Sequence, residues 1–401
     1  MKILKIEFKE HALFGNNCID FTEPSGMILE TVIFIGDNGT GKTTLLNAIA
    51  DSIRVYPVGN YKVWSDDNII EGSWIAFPGD SATIFVQCTA NEMDFLETGG
   101  PFSHLLGIEG VEGVDIESPA VIYLPVEANF KQNKGINNTL VYHPKFMEVI
   151  DSAFTANISS FIATKIQSEV FKNVNEPPKI SIQKACDEIN HIFEIMDVDA
   201  KLVGLSADGT SEPIFKNGQG KSFNIESLSS GEKQLFIRAL SLKFLNANNC
   251  MILIDEPELS LHPEWQRKIV HVYEQIGENN QIIIATHSPH IVGSVRAKSI
   301  RILRRGEEGI EAFPCEEDEQ TYGRRVDDIL QFNMNINSLR NEEISNKLKR
   351  AGELLDKGDY KSYEFQKLIK ELKDTPGSDD KDLMRLELAV AIKESKDDKG
   401  E

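Results

Sequence analysis

The sequence predicts an α/β fold built on a mainly parallel sheet. Three short apolar runs, at residues 31–35 (TVIFI), 251–254 (MILI) and 281–285 (QIIIA), have the length and composition of strands that are buried on both faces. Each run is followed by glycine or polar residues. Because ligands of open α/β sheets collect beyond the carboxyl ends of the strands, these following residues mark the expected site.

The first run leads directly into a phosphate-binding loop. Residues 36–43 (GDNGTGKT) match GxxxxGK[ST], and the apolar residues of the next segment recur at helical spacing. Glycines let backbone amides wrap around a phosphate, Lys42 is expected to reach the β- and γ-phosphate oxygens, and Thr43 is expected to offer its hydroxyl to Mg²⁺. The predicted nucleotide-binding residues are Gly36, Asp37, Asn38, Gly39, Gly41, Lys42, Thr43 and Thr44.

An acidic pair follows the second run. Asp255 is expected to hold Mg²⁺, through water, beside the phosphate loop. Glu256, one residue further, is expected to act as the general base or to position the water that attacks the γ-phosphate. An isolated acidic pair is usually a solvated turn, but this pair follows four apolar residues in a chain with a phosphate loop.

A histidine follows the third run. A lone histidine at a strand end is most often packed and hydrogen-bonded within the fold. Here three similar strands all end in polar residues, which favours a role at the shared edge of the sheet. His287 is therefore expected to hydrogen-bond the γ-phosphate and to sense its presence.

A second glycine-bearing turn, LSSGEKQ at residues 228–234, opens another predicted helix. Ser229 supplies a hydroxyl donor, Gly231 permits close approach, and the positive helix N-terminus attracts an anion. One nucleotide site needs only one phosphate loop, so this turn is available for a different phosphate.

Taken in order, GDNGTGKT, LSSGEKQ, MILIDE, SLHP and ATHS resemble the motifs of the ATP-binding-cassette ATPases over residues 1 to about 305. The resemblance implies a P-loop NTPase head of that type, with ATP and Mg²⁺ as ligands, LSSGEKQ as the signature motif, residues 260–262 as the D-loop and His287 as the switch histidine. It also implies that two chains pack head to tail, with Ser229 and Gly231 of each closing over the ATP of the other. Because each motif occurs once, we expect a homodimer or a higher even oligomer.

The match to that family has two departures and one open position. Ser230 stands where many members have glycine, and Glu232 stands where many have glutamine. Gln87 is a candidate for the glutamine that couples ATP to the rest of the protein, and an ordinary strand glutamine is an equally good interpretation.

Longer phrases, IDEPELSLHPEWQ, ATHSPHIV, IYLPVE and YGRRVDDIL, are similar to the compact standalone branch that includes the overcoming-lysogenization-defect and Septu-type anti-phage ATPases. That branch implies an ATPase that regulates a separate effector in bacterial anti-phage defence, such as the HNH nuclease of Septu systems. The C-terminal residues show helical rather than strand spacing, so they are not expected to form a nuclease domain of the Toprim type. The alternatives are a repair or recombination ATPase that acts directly on DNA and, less well supported, the nucleotide-binding subunit of a transporter.

Composition narrows these functions. With 63 acidic against 42 basic residues the net charge is -21, which opposes general attraction to nucleic acid, although the clusters at residues 301–305 and 324–325 leave a local basic face open. The five isolated cysteines indicate neither a zinc ribbon nor a disulfide framework. No apolar run is long enough to span a membrane, so we expect a cytoplasmic protein without a membrane partner.

The motifs divide the chain into four segments. Residues 1–60 form the N-terminal part of the ATPase lobe with the phosphate loop, and residues 61–225 form an insert with strands and a helical lid or arm. Residues 226–335 complete the ATPase lobe, with the signature, the acidic pair, the D-loop and the switch histidine. Residues 336–401 form a helical appendage with a charged tail.

Overall fold

A computed structural model describes residues 2–54, 62–64, 69–75, 83–89, 119, 121–126, 147–315, 320–334, 340–375 and 380–397. Two compact units make up the chain, Met1–Ile329 and Leu330–Glu401. No helix within the described ranges is both long and apolar enough to cross a membrane.

Strands are confined to the first unit within the described residues. They are β1 (Lys2–Lys9), β2 (Cys18–Asp20), β3 (Thr31–Gly36), β4 (Lys62–Trp64), β5 (Ile69–Ile75), β6 (Thr83–Thr89), β7 (Val121–Leu124), β8 (Met147–Val149), β9 (Lys201–Leu205), β10 (Pro213–Lys216), β11 (Ser222–Phe223), β12 (Met251–Asp255), β13 (Gln281–Ala285), β14 (Ile300–Arg305) and β15 (Ile310–Pro314).

Helices occur in both units. They are α1 (Lys42–Arg54), α2 (Ser152–Ala156), α3 (Ile158–Lys172), α4 (Pro178–Met196), α5 (Ser230–Phe244), α6 (Pro263–Gln266), α7 (Ile269–Glu274), α8 (Pro289–Val292), α9 (Val326–Asp328), α10 (Glu342–Asp356), α11 (Tyr363–Asp374) and α12 (Lys381–Asp397).

The predicted parallel sheet is confirmed. Seven strands pair in the order β15-β14-β3-β13-β12-β7-β8, and every neighbouring pair is parallel except β14 with β15. Every residue of β12 and β13 is buried, as expected for strands covered on both faces. Because β3, β12 and β13 are neighbours, the segments that follow them meet at one edge.

An antiparallel sheet, in the order β2-β1-β6-β5-β4, accompanies the parallel one. The main hydrophobic core joins residues of β1 and β2, such as Phe8 and Ile19, to the apolar face of α1 and to the parallel sheet. Leu45, Leu46 and Ile49 of α1 are fully buried in this core. The helix that follows the phosphate loop is therefore held firmly against the sheet.

A smaller three-stranded sheet, in the order β11-β10-β9, packs with α4 and α5. Phe236 of α5 stacks on Phe193 of α4 at 4.3 Å and meets Phe215 of β10 edge-on at 5.6 Å, measured between ring centroids. The amide side chain of Asn190 exchanges two hydrogen bonds with the backbone of Leu202, at 2.9 and 2.7 Å. This layer fixes the position of α5, which carries the signature motif.

One local prediction was wrong. Helical spacing predicted a continuous helix over residues 144–171, but Met147–Val149 forms a strand that extends the sheet beside β7, and the helix is divided into α2 and α3 at Asn157. Backbone pairing with an exposed sheet edge outweighs helical periodicity over three residues. Asp151 then caps α2 by accepting hydrogen bonds from two backbone amides.

The second unit is helical, as predicted. Helices α10, α11 and α12 pack around a core that includes Leu354, Leu355 and Phe365. The predicted break between the first two helices occurs at residues 357–359, where Gly358 has a φ of 83°. Arg340 forms ion pairs with Asp380 and Asp382 ahead of α12.

Candidate functional site

The phosphate loop lies between β3 and α1, as the sequence predicts. Gly41 has a φ of 78°, and a Cβ atom there would lie 2.3 Å from a methyl carbon of Leu13. A Cβ atom at Gly36 would lie 2.5 Å from the carbonyl oxygen of Leu303. Glycine is therefore required at both positions to bring the loop this close to its supporting strands.

The Lys42 ammonium group is held inside this loop. Its Nζ atom donates hydrogen bonds to the carbonyl oxygens of Gly36, at 2.9 Å, and Asp37, at 3.0 Å. Burial lowers the pKa of Lys42, while the charges of Glu256, Asp255 and other nearby carboxylates act in the opposite direction. The rest of the predicted set is placed as a phosphate cradle needs, since Asp37, Asn38 and Gly39 are exposed at the tip and Thr43 and Thr44 are exposed in the first turn of α1.

The Asp255 carboxylate ends β12 and is only 1% exposed. Neither of its oxygens accepts a regular hydrogen bond from any of the described residues. Burial raises the pKa of Asp255 to about 6, although the nearby Thr43 hydroxyl, Arg238 and Lys42 lower it. A buried carboxylate without partners is costly unless a ligand completes it, and a hard divalent cation suits two oxygens beside a threonine hydroxyl.

Glu256 and His287 face each other across the same edge. The Glu256 Oε1 atom lies 3.9 Å from His287 Nε2, and both side chains are about one-third exposed. Glu256 has a φ of 43°, a left-handed conformation that costs energy for this residue type. Its backbone amide donates to the carbonyl oxygen of Ala285 at 2.9 Å, which fixes the turn.

Burial lowers the pKa of His287, and the neighbouring Lys42 charge adds to this effect. Glu256 and Asp37 act in the opposite direction. The imidazole is therefore neutral at pH 7, with one nitrogen able to donate a hydrogen bond and the other able to accept one.

Sequence analysis did not identify Glu258, which the structure places in the same cluster. Its Oε1 atom accepts hydrogen bonds from the Thr286 hydroxyl at 2.7 Å and from the His287 backbone amide at 2.6 Å. Burial raises the pKa of Glu258. An acidic residue in the turn after a strand gave no signal of burial, because only the approach of the loop after β13 encloses it.

Gln266, at the end of α6, was also not identified from the sequence. Its amide nitrogen donates to the carbonyl oxygen of Leu261 in the D-loop at 2.9 Å, and its amide oxygen accepts from the Ser288 hydroxyl at 2.6 Å. One side chain therefore joins the D-loop to the segment that follows the switch histidine.

The signature motif begins α5. Ser229 caps this helix, because its hydroxyl accepts from the Glu232 amide at 3.3 Å while the Glu232 carboxylate accepts from the Ser229 amide at 2.8 Å. A Cβ atom at Gly231 would lie 2.5 Å from the carbonyl oxygen of Ser260. Within this chain, Gly231 thus brings the signature helix against the D-loop.

Arg238, one of the buried residues of α5, was likewise missed. Its guanidinium group donates to the carbonyl oxygens of Pro125 at 3.0 Å and Asp255 at 3.5 Å. The signature helix is therefore in direct contact with the end of the strand that carries the acidic pair. Arginine in an apolar helical pattern gave no indication of this contact.

Lys42, Asp255, Glu256 and His287 converge as the sequence predicts, and their charges influence one another. The described hydrogen bonds of the Ser229 side chain involve Glu232 and not the phosphate loop. Gln87 lies on β6 between Lys5 of β1 and Glu71 of β5, and its side chain lies outside the described residues, as does all of Glu127 in the IYLPVE segment. No group of three or more His, Cys, Asp or Glu side chains forms a metal cage within the described ranges.

Residues 146–293 match a family model described as "AAA domain, putative AbiEii toxin, Type IV TA system". The chain is 24% identical to the "Retron Vc95 probable ATPase" of Vibrio cholerae serotype O1 biovar El Tor, over 68% of this chain and 68% of that protein. It is 27% identical to the "Septu protein PtuA" of Bacillus thuringiensis, over 82% of this chain and 80% of that protein. A structural match with a TM-score of 0.41 and 13% identity covers 78% of this chain and 98% of an SmcHead chain bound to the C-winged helix domain of ScpA. The expected resemblance to Septu-type ATPases is confirmed, and retron ATPases are related as well.

Proposed function

We propose that this relative of the retron and Septu proteins binds ATP with Mg²⁺, hydrolyses it, and uses the cycle to control a separate effector in anti-phage defence. The observation that carries the proposal is the convergence of Lys42, Asp255, Glu256 and His287 at one edge of the parallel sheet. In an open α/β sheet, this edge is where a nucleotide phosphate lies.

Each residue has a distinct role in this proposal. Lys42 leaves its two carbonyl partners to contact the β- and γ-phosphates, and Asp255 with Thr43 holds Mg²⁺, which neutralises phosphate charge when bound. Glu256 accepts the proton of the attacking water as its oxygen bonds to the γ-phosphorus and the bond to the bridging oxygen breaks. His287 donates a hydrogen bond to the γ-phosphate from its neutral ring.

The second phosphate-binding turn belongs to another chain in this proposal. Ser229 and Gly231 of one protomer close over the ATP that its partner holds, so two composite sites form in a head-to-tail homodimer or a higher even oligomer. The Ser229 hydroxyl accepts a hydrogen bond in the cap of α5, which leaves its own proton free to donate to a phosphate. The positive end of this 15-residue helix adds to the attraction.

The effector is proposed to be a separate polypeptide, such as an HNH nuclease, acting with this ATPase in the cytoplasm. The described part of the second unit is helical, with no strand edge where acidic metal ligands could gather. ATP-driven closure of the dimer would present or withdraw the surface that such a partner binds.

The test is to purify tagged Glu256→Gln chain from its native host with ATP and Mg²⁺, and to identify co-purifying proteins by mass spectrometry. Removing the proton acceptor traps the ATP-bound form, so a nuclease at stoichiometric amounts is the expected result. Lys42→Ala, which cannot hold the nucleotide, is the matched control and should retain little of an ATP-dependent partner. Recovery of a membrane permease, or of DNA without a protein partner, would contradict the proposal.

A further inference from the structure

A basic groove lies on the first unit, away from the phosphate loop. Its volume is about 830 Å³, and its lining includes Arg267, Arg296, Lys298, Tyr322, Arg324 and Arg325. Thr31, the first residue of β3, also lines it, whereas the phosphate loop follows the last residue of that strand. The groove therefore opens at the opposite end of β3 from the nucleotide.

Positive charge dominates this groove, although the whole chain carries a net charge of -21. Five cationic side chains line it, and its one acidic lining residue, Glu274, accepts a hydrogen bond from the Thr31 hydroxyl. No carboxylate of the described residues forms an ion pair with Arg267 or Arg296. Concentrated positive charge in a concave surface raises the local concentration of anions.

Two of the cations have carboxylate neighbours, but the pairs are exposed. Lys298 contacts Glu23 at 2.8 Å and Arg325 contacts Asp327 at 3.7 Å. Exposed pairs of this kind contribute little, about 0–1 kcal/mol, so a polyanion can replace these partners at small cost.

An aromatic ring lies beside these cations. Tyr322 is 69% exposed, although both of its neighbours are anchored. The Thr321 hydroxyl donates to the Val295 carbonyl oxygen at 2.7 Å, and the Gly323 amide donates to the Gly293 carbonyl oxygen at 3.0 Å. The backbone thus presents this ring to solvent from a fixed position.

We propose that the basic groove binds single-stranded nucleic acid, with its arginines on the phosphates and a base stacked on Tyr322. Guanidinium groups match phosphate oxygens in pairs, and an exposed aromatic face stacks any unpaired base. A groove of this volume accepts one extended strand, and stacking on a single ring requires a base that is free of its complement. The basic pair Arg324 and Arg325, noted in the sequence, thereby gains a role that ATP binding does not provide.

The site does not depend on ATP hydrolysis, so the full chain can be tested without nucleotide. A fluorescein-labelled oligodeoxythymidylate is titrated with the chain, and anisotropy is measured at several salt concentrations. Arg296→Glu combined with Arg325→Glu is expected to weaken binding at least tenfold and to flatten the salt dependence by about 0.7 per lost phosphate contact. The matched control is Arg304→Glu combined with Arg305→Glu, two exposed arginines that do not line the groove.

Stacking is tested separately at Tyr322. Tyr322→Ala should weaken binding several-fold, because base stacking on an aromatic ring is lost, whereas Tyr322→Phe should bind as the unmodified chain does. If charge reversal impairs folding, as judged by thermal unfolding, Arg296→Gln with Arg325→Gln replaces it and is expected to weaken binding in the same direction.

The proposal is overturned if the unmodified chain does not bind the oligonucleotide at low salt, or if the Arg304 and Arg305 control loses as much affinity as the groove variant. It is also overturned if polyglutamate of equal charge displaces the oligonucleotide as effectively as unlabelled oligodeoxythymidylate does. That last result would identify an acidic protein segment as the ligand. Loss of binding confined to the groove variants, with stronger competition by nucleic acid, supports it.

Discussion

The carboxylate of Glu258 accepts a hydrogen bond from the backbone amide of His287 over 2.6 Å, and so joins the turn after β12 to the turn after β13. The same oxygen accepts from the Thr286 hydroxyl at 2.7 Å. Glu256 lies in the first of these turns and His287 in the second, so their separation depends on this buried carboxylate. Glu258 is a positioning residue, because it acts through the two side chains that are proposed to meet the γ-phosphate.

Replacing Glu258 with alanine should lower both stability and turnover. The Thr286 hydroxyl and the His287 amide would lose their acceptor, which costs about 2 kcal/mol in the free energy of unfolding. ATP hydrolysis should slow at least tenfold while ATP affinity changes little, because Lys42 and the phosphate loop are untouched. Urea unfolding and steady-state ATPase assays measure the two effects.

Two comparisons make this prediction specific. Glu258→Gln retains an oxygen acceptor and should recover part of the turnover. Glu264→Ala, at an exposed residue of α6, should leave both quantities unchanged. Equal turnover in Glu258→Ala and the unmodified chain would show that the contact does not position the catalytic pair.

Stability without nucleotide should fall as the pH rises from about 4 to about 6. Burial raises the pKa of Asp255 from 3.8 to about 6, so between these values the folded chain binds the proton that the unfolded chain has released. This contribution is complete below the lower pKa and is lost through the higher one, with a size of up to about 3 kcal/mol.

Other carboxyl groups titrate over the same range, so the measurement is the difference in unfolding free energy between the unmodified chain and Asp255→Asn. That difference should change across the window because asparagine does not titrate. A difference that is constant from pH 4 to pH 7 would mean that the Asp255 carboxyl is not desolvated in the fold.

Gly231→Ala should damage the contact between the signature helix and the D-loop. The added Cβ atom would lie 2.5 Å from the Ser260 carbonyl oxygen, a backbone atom that cannot move aside alone. We expect a loss of about 1–3 kcal/mol in stability, as in overpacked cores, together with reduced ATPase activity.

A second helical glycine provides the control for Gly231. A Cβ atom at Gly352, in α10, would meet no atom within 4 Å. Gly352→Ala should therefore be neutral or stabilise the chain by up to about 1 kcal/mol, since alanine favours helix. If both variants behave alike in thermal unfolding, the close approach at Ser260 is not a constraint.

Mixing two inactive variants tests whether the ATP site is shared between chains. Lys42→Ala should not bind ATP, and Ser229→Arg should bind ATP without hydrolysing it. In a mixed head-to-tail dimer, one site combines both defects and the other combines two intact surfaces, so mixing should restore about a quarter of the activity.

Ser229→Arg also removes the cap of α5, which costs about 1 kcal/mol. Ser362→Arg removes the equivalent cap of α11, where the Ser362 hydroxyl accepts from the Phe365 amide at 3.2 Å, and should leave ATPase activity intact. Activity that stays at zero in every mixture of the Lys42 and Ser229 variants would contradict the composite site.

Sequence by itself determined the parallel sheet, its order of motifs and the residues at the ends of β3, β12 and β13. These features depend on neighbours along the chain: an apolar run, the glycines that follow it and the helical spacing beyond. The same local signals identified the three helices of the C-terminal unit.

Only the tertiary structure decided which groups are buried beside those motifs. Glu258 and Gln266 are polar residues whose hydrogen-bond partners lie 22 to 29 positions away for the contacts with Thr286, His287 and Ser288. The basic groove likewise combines Arg267 and Arg296 with residues near Tyr322. Desolvation and convergence of charge depend on segments that are distant in the chain, so local residue patterns do not encode them in a readable form.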